Sequence, residues 1–524
     1  MTEGSAASSP APRARAATAA VWLAPLLVLA IALHAVDAYP VGAVYDDAVY
    51  VEIAKALATG RGYRYLHLPG APFAVHFPPG YPFFLSLLWR IAPGFPANIL
   101  VFKIANAVLV AVSAVWFAWF VRDRFSFTGP QAALGAVVAS IGIPTLVLSS
   151  LVMSEPLFLA IALPALLLGE RVVSGDRRVA GIVGAGLLAG AATLVRTHGI
   201  AVIAAVALLL LWRRRFRDTA WYVAATAIVV LPWQWWEYAH AGGLAAPLDG
   251  TYGPYLAWWM NSMRAGGLPF LLATVAGTTR DVTAMLAVLL APVFVAGAGL
   301  ATLVLAVALA AIGAWSARRA VPVTLLFLAF YFSIVIVWPY SPTRFLWCVW
   351  PLLVLLPLLG LRTLWRWDLP PSVPRTARVW LLAVAAVPVA GYVRYNARGY
   401  RHAWWETIPR TRGEQLRDVV MKVRTATRPD ALLAGTDDAA IYLYTGRQAV
   451  SSAPLAATAF LHPLTQSQDA GVLRQILAAY RVDDVIATTR GQAAAADLLA
   501  AARPPLLVLT DSFPGGLIYS TIRK

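Results

Sequence analysis

The sequence predicts an α-helical polytopic membrane protein of about eleven spans followed by a separate α/β domain, and three observations carry this. Hydrophobic residues fill 60% of the 524 positions and charged residues only 13%, against about 25% charged in a soluble domain. Apolar stretches of spanning length recur from residue 20 to residue 395. Arginines mark alternate connections between those stretches, as the positive-inside rule asks. A soluble enzyme of ordinary type, a disordered protein and a coiled coil are thereby excluded. The net charge of +17 and pI of 10.2 would suggest nucleic acid in a soluble chain. In a membrane protein they mark cytoplasmic loops, and no nucleic-acid partner is expected.

In chain order, residues 1–17 are expected as a disordered cytoplasmic tail. Arg13 and Arg15 precede the first apolar run, and no A-x-A-like site follows it cleanly, so it reads as a retained helix. Spans are expected near 20–39, 99–121, 131–149, 153–170, 179–195, 197–212, 219–238, 284–314, 320–338, 345–364 and 377–395. With Arg13 inside, alternate crossings also place Arg122, Arg124, Arg171, Arg178, Arg213, Arg215, Arg318 and Arg362 inside. An odd number of crossings puts the C-terminal tail outside. Residues 18–395 thus form a membrane domain with external loops near 40–98 and 240–283. Residues 396–524 form an external domain large enough for its own core. There, Arg412 to Thr425 and DDAAIYLYTGR read as helices, ALLAG and PPLLVLT as strands, and LRQILAAYRVDDVIATT as helix then strand. Such alternation predicts a parallel or mixed sheet. No GxGxxG or P-loop supports nucleotide binding, and no internal repeat of the transporter kind is present. The one cysteine, Cys348, allows no internal disulfide.

Charged residues at membrane depth are costly and are functional candidates by default. Asp46 and Asp47 follow the external end of the first span. Glu155 begins the fourth, Arg196 and His198 sit at the turn between the fifth and sixth, and Arg344 opens the tenth. All fall at the external surface rather than mid-span, which suits a site beside the lipid headgroups. Each has a structural alternative. Asp is a favoured N-cap, so one of the pair is free to cap while the other faces a substrate. Glu155 also suits the first turn of a helix through the dipole, and Arg196 or Arg344 also suits snorkelling to the interface. In HFPPGYPFF, from His76 to Phe84, paired prolines and a glycine fix a loop. His76 there is a polar contact or a metal ligand, without a second ligand at usable spacing.

Together these segments resemble a known group. The Asp pair after the first span, EIAKALATGRGY and PPGYPFFLSLL are similar to membrane glycosyltransferases of the GT-C superfamily. The branch they most resemble holds the protein O-mannosyltransferases and aminoarabinose transferases, the glycosyltransferase family 39-like group. MSEPLF around Glu155, LVRTHG around Arg196, LPWQWWEYAHAGG with DGTYGPYL, SPTRFLWCVWPLL and AIYLYTGRQAV continue the likeness in order. Two departures stand out: Gln234 to Tyr238 lacks an Arg-Asn pair, and His76 stands where aminoarabinose transferases carry a glutamate thought to touch a metal. The oligosaccharyltransferase signature WWDYG is absent.

The resemblance implies a GT-C-like fold in a cell membrane, with the active site and the tail domain on the extracytoplasmic side. It implies a polyprenyl-phosphate sugar as donor and transfer of a hexosyl or pentosyl group to a lipid, glycan or protein by a single inverting displacement. The chemistry needs a base for the acceptor and a cation for the departing phosphate. Asp46 is the expected base, with Asp47 as the second choice, and Glu155 orients the acceptor or binds sugar hydroxyls. Arg344, whose guanidinium fork matches phosphate oxygens, holds the phosphate, with Arg196 as a second candidate. His76, His198, Tyr63, Tyr65, Tyr81, Tyr252 and Tyr255 are expected to line the sugar and acceptor sites. No metal site is assigned and no cofactor is required, although a divalent metal is compatible with the reaction. The rival readings are a transporter or flippase of lipid-linked sugars, which should show polar residues at the membrane midplane, and a non-catalytic membrane protein whose external domain binds a partner.

Overall fold

A computed structural model of the chain describes residues 12–291, 298–366, 374–453 and 464–522. The first helix, α1 (Pro12–His34), begins inside the segment expected as a disordered tail. Its opening PRARAATAA explains this, because proline suits a first helical position and alanine and arginine favour helix. Residues 1–11 of that segment lie outside the described residues. The first connection then folds into α2 (Asp46–Ala58) and α3 (Gly80–Ile91).

The bundle continues as α4 (Asn98–Phe125), α5 (Gly129–Ser140), α6 (Ile143–Ser150), α7 (Glu155–Ser174), α8 (Val179–Val195), α9 (Ile200–Trp212) and α10 (Phe216–His240). It closes with α11 (Asp249–Tyr252), α12 (Tyr255–Leu290), α13 (Gly299–Ala317), α14 (Pro322–Ile336), α15 (Thr343–Cys348), α16 (Trp350–Arg366) and α17 (Arg375–Arg401). Among the described residues, α4, α7, α12, α13 and the Val379–Arg401 part of α17 are long and apolar enough to cross a membrane. The pair α5 and α6, bent by 63°, makes a sixth span if taken as one. The other expected spans are shorter or less apolar helices, so length and composition alone mark fewer crossings than expected.

Two expectations change. Residues 240–283 are not a loop: most of them lie in α12, which breaks at Gly267 (φ 57°, ψ −152°). Trp258 and Phe270 pack there with Trp338 and Tyr340. Helix is also the state in which backbone beside lipid satisfies its own hydrogen bonds. The stretch 284–314 is not one span but the end of α12 and most of α13; residues 292–297 between them lie outside the described residues.

Small residues let the helices approach closely, as in other membrane bundles. A Cβ at Gly313 would collide with the Leu356 carbonyl, and one at Gly360 with the Leu309 carbonyl, so α13 and α16 cross backbone to backbone. The arginine-bearing connections meet at one end. Arg124 Nε donates to Ala320 O at 2.9 Å, Arg171 pairs with Asp123, and Arg362 Nη1 donates to Phe125 O at 3.0 Å. Arg213 and Arg215 donate to the Val173 and Val172 carbonyls at the end of α7. These arginines therefore cap a helix as well as mark a side. Glu155 opens α7, 20 residues long, so it stands about 30 Å away at the other end.

That other end also carries the tail. It comprises α18 (Thr407–Ala426), β1 (Leu433–Gly435), α19 (Asp438–Thr445), β2 (Ala449–Ser451), α20 (Gln466–Ala479), β3 (Asp484–Ala487), α21 (Arg490–Ala500), β4 (Leu507–Phe513) and β5 (Gly516–Thr521). The sheet is mixed, in the order β2-β1-β3-β5-β4. β1 pairs in parallel with β2 and β3, and β5 runs antiparallel to β3 and β4. Leu433, Ala449, Ile486 and Ile518 from the sheet pack against Val419 and Val423 of α18. The tail docks on the first connection: Ala449 N–H donates to His67 O at 2.9 Å, and the Tyr444 hydroxyl accepts from Val41 N–H at 3.0 Å.

Candidate active site

Four elements bring four charged side chains to one place. Asp46 and Glu155 are the first residues of α2 and α7, where the helix dipole favours a carboxylate. Arg196 ends α8 in extended conformation, and Arg344 is the second residue of α15. Arg344 Nη1 stands 2.9 Å from Asp46 Oδ2, and its Nε 3.1 Å from Glu155 Oε1. Arg196 Nη1 lies 3.0 Å from the same Glu155 oxygen and donates to Ser154 Oγ at 2.9 Å. The four formal charges cancel, which offsets the cost of desolvating them.

The network has an outer and an inner half. The Asp46 and Arg344 side chains are 26% and 28% exposed, whereas Glu155 is 0% and Arg196 9% exposed. Glu155 Oε2, Arg196 Nε and the nearby His198 Nε2 are buried without a hydrogen-bond partner. Buried polar groups are rarely left so. His198 packs its ring on Tyr331 and Phe345, at 5.2 and 4.8 Å.

The supporting groups are local and buried. Asn106 of α4, which sequence reasoning missed, donates to the Leu151 and Met153 carbonyls at 2.9 and 3.1 Å and accepts from the Tyr81 hydroxyl. It thereby fixes the turn that delivers Glu155. A Cβ at Gly80 would sit 2.8 Å from the Leu194 carbonyl, so only glycine lets the PPG turn press against the chain just before Arg196.

Asp47 does different work from Asp46. It is 1% exposed, and its carboxylate accepts from the N–H groups of Gly42, Ala43, Val44 and Ala48 at 3.0–3.4 Å. Its position as an alternative base is therefore corrected: the carboxylate is consumed in shaping the turn. Between turn and helix, Tyr45 adopts φ 65°, ψ −62°, and Asp46 N–H donates to Val44 O at 2.8 Å. This is a γ-turn of the rare positive-φ kind, and such a conformation costs on the order of 1–3 kcal/mol. It sits immediately before Asp46.

His76 is buried, with Nδ1 2.6 Å from Gly253 O and its ring 3.8 Å from that of Tyr255. Burial pushes its pKa down to about 4, so at neutral pH Nδ1–H donates to the carbonyl and Nε2 keeps a free electron pair. Tyr255 is half-buried beside it. The other tyrosines do not present faces for a sugar. Tyr63 donates to Phe77 O at 2.7 Å, Tyr81 serves Asn106, and Tyr65 and Tyr252 are fully buried with rings 4.9 Å apart. Expecting them to line a sugar site is corrected: a loop rich in aromatics needs a core of its own, and these rings form it.

A second polar network escaped sequence reasoning altogether. His67 lies with Nδ1 2.6 Å from Glu52 Oε2 and Nε2 2.9 Å from the Tyr252 hydroxyl, which donates to Asp438 Oδ2 at 2.5 Å. The Tyr45 hydroxyl hydrogen-bonds that of Tyr252. Glu52, His67, Tyr252 and Asp438 are all fully buried. Only an ionisable residue inside an apolar run hints at such a network, and its hydrogen-bonded partners lie up to 207 positions apart. Among the described residues no three His, Cys, Asp or Glu side chains form a group able to hold a metal ion. His76 is engaged by the Gly253 carbonyl.

This helical bundle, with its charged site at one end and a small α/β tail docked over that end, shares its overall fold with solved structures of an aminoarabinose transferase and an oligosaccharyltransferase. With five helices among the described residues long and apolar enough to cross a membrane, the chain is a multi-pass membrane protein. Among solved structures, ArnT (aminoarabinose transferase) from Cupriavidus metallidurans in the apo state matches with a TM-score of 0.54 at 14% identity, over 97% of this chain and 98% of that one. The same protein bound to undecaprenyl phosphate matches with a TM-score of 0.52 at 14% identity, over 96% and 98%. The oligosaccharyltransferase AglB from Archaeoglobus fulgidus, in complex with an inhibitory peptide and a dolichol-phosphate, matches at 0.51 with 15% identity, over 96% of this chain and 74% of that one. At these identities the likeness is one of fold. No protein-family model and no curated protein matches the sequence.

Proposed function

We propose that this protein is a membrane glycosyltransferase that moves a sugar from a polyprenyl-phosphate donor to an extracytoplasmic acceptor (a lipid, a glycan or a protein). One observation carries the reading: an accessible carboxylate and guanidinium, Asp46 and Arg344, stand 2.9 Å apart above a buried Glu155–Arg196 pair. Such a pair supplies the base and the phosphate-binding cation of a single displacement. The fold neighbours bound to undecaprenyl phosphate and dolichol-phosphate support the donor class. Arginines gathered at the opposite end support an extracytoplasmic site.

In this mechanism the acceptor attacks the anomeric carbon opposite the phosphate. Its new bond forms as the bond from that carbon to the phosphate oxygen breaks, so configuration inverts. The acceptor's proton passes to Asp46, and the electron pair leaves with polyprenyl phosphate, whose charge Arg344 holds. The resting ion pair adds an order of events. Arriving donor phosphate competes for Arg344 and releases the Asp46 carboxylate from its ion pair. Donor binding thus prepares Asp46 for the acceptor. Glu155 stays between the two arginines and keeps both aimed outward.

The test is release of free polyprenyl phosphate from a panel of labelled polyprenyl-phosphate sugars, using the full chain in lipid nanodiscs with candidate acceptors. Release with one donor class, lost in Asp46→Asn and Arg344→Ala, is the expected result. No binding and no release with any donor overturns the reading in favour of a transporter or a partner-binding protein.

A further inference from the structure

Asp46 does not reach its place through the bundle alone. The residue before it, Tyr45, holds a positive-φ turn, and two devices keep it there. One is local: the Asp47 carboxylate gathers the N–H groups of the turn. The other is remote. The Tyr45 hydroxyl bonds the Tyr252 hydroxyl, which donates to Asp438 at the start of α19 in the tail domain. His67 closes the cluster against Glu52 of the same helix that Asp46 opens. Every member is at least mostly buried, and Asp438 is 0% exposed. A tail that merely covered the site would need no such path to the residue flanking the proposed base.

We infer that Asp438 of the tail is a positioning residue: through Tyr252 and Tyr45 it holds the strained turn that aims Asp46 at Arg344. The docked tail is then part of the catalytic apparatus without touching substrate. The inference rests on the glycosyltransferase reading for its kinetic consequence, but not for its structural one. A strained turn that loses one of its two anchors relaxes, and a small displacement of a catalytic group slows chemistry without weakening substrate binding.

The experiment uses the full chain in nanodiscs with Tyr252→Phe, Asp438→Ala and Asp438→Asn. Tyr252→Phe keeps the ring and removes only the bridging hydroxyl. Asparagine at 438 keeps an accepting oxygen. Expected is a fall in kcat of about tenfold or more in Tyr252→Phe and Asp438→Ala with donor KM unchanged, and recovery of most of kcat in Asp438→Asn. Amide hydrogen exchange over residues 42–48 should rise in the first two variants while the arginine-rich end of the bundle stays as in wild type. Unchanged kcat in folded Tyr252→Phe, a rise in donor KM at constant kcat, or unchanged exchange over 42–48 overturns the inference. A wild type that releases nothing fails the glycosyltransferase reading instead, and the exchange result still decides the anchoring.

Discussion

Asp46 and Arg344 are 298 positions apart in the chain and 2.9 Å apart in the fold. The pair joins the first connection of the bundle to the last helices before α17, and it is the accessible half of a four-charge network. What each partner does can be separated, because one offers a basic oxygen and the other only donors.

Asp46→Asn removes the base while keeping size and one accepting oxygen. Transfer should fall at least about 100-fold, the low end for acid–base catalysis, with thermal stability close to wild type. The measurement is kcat for polyprenyl phosphate release beside a thermal unfolding midpoint. Transfer at the wild-type rate would remove Asp46 from the mechanism.

Arg344→Lys keeps the charge but loses the planar fork that engages Asp46 and Glu155 together. Donor affinity should weaken by about tenfold, the consequence of losing about 1.4 kcal/mol of phosphate binding. Titration with polyprenyl phosphate alone reads this directly. Equal affinity in the two proteins would show that Arg344 acts as a point charge or not at all.

Glu155→Gln leaves Arg196 buried without its carboxylate. Breaking a buried pair from one side typically costs about 3–5 kcal/mol, so the thermal midpoint should drop steeply. Combining it with Arg196→Gln should restore part of the loss, because no charge is then stranded. A double variant less stable than either single one would rule out this coupling.

Asp47→Ala should invert the phenotype of its neighbour. Four N–H groups of the turn lose their acceptor, and hydrogen bonds to a charged group are worth about 1.5–3 kcal/mol each. The unfolding midpoint should fall well below that of Asp46→Asn. A stability equal to wild type would mean that water replaces the carboxylate in the turn.

Stability should also depend on pH through the tail's anchor. Burial pushes the Asp438 carboxyl up to about 6, although the His67 ring and Tyr252 hydroxyl pull it down. The folded protein keeps a proton that the unfolded chain has released, so stability falls as pH rises from about 4 to about 6. At His67 burial acts to lower the pKa, but the Glu52 and Asp438 carboxylates outweigh it and hold the ring above its ordinary value. That contribution is complete below about pH 6.5 and is lost as pH rises through the folded value. Thermal midpoints across this range should decline, and Asp438→Asn should flatten the part between about 4 and 6. An identical slope in the variant would assign the dependence to other groups.

Much of this was legible in the sequence. The helices fall on the apolar runs, Glu155 opens its helix, Arg196 and His198 occupy a turn, and the tail is a mixed α/β sheet. The depth of a charge in the membrane follows from its distance to the end of an apolar run, so Asp46, Glu155, Arg196 and Arg344 were readable as one surface set. Residues 255–283 were misread because glycines and prolines among aromatics suggest a loop in water. The same residues form a helix that breaks at Gly267. Asp46 and Asp47 are adjacent and chemically identical, so nothing local distinguished the open carboxylate from the one enclosed by backbone.

The sequence by itself determined that the protein spans a membrane, where most of its helices lie, and that its charged candidates gather at one end. Those properties depend on hydropathy and charge over tens of neighbouring residues. Only the tertiary structure decided the partnerships: Arg344 between Asp46 and Glu155, Asn106 beneath the Glu155 turn, and Asp438 linked through Tyr252 to the turn before Asp46. A hydrogen bond requires atoms about 3 Å apart, and which distant residues meet at that distance is set by how the helices pack, not by any local pattern in the chain.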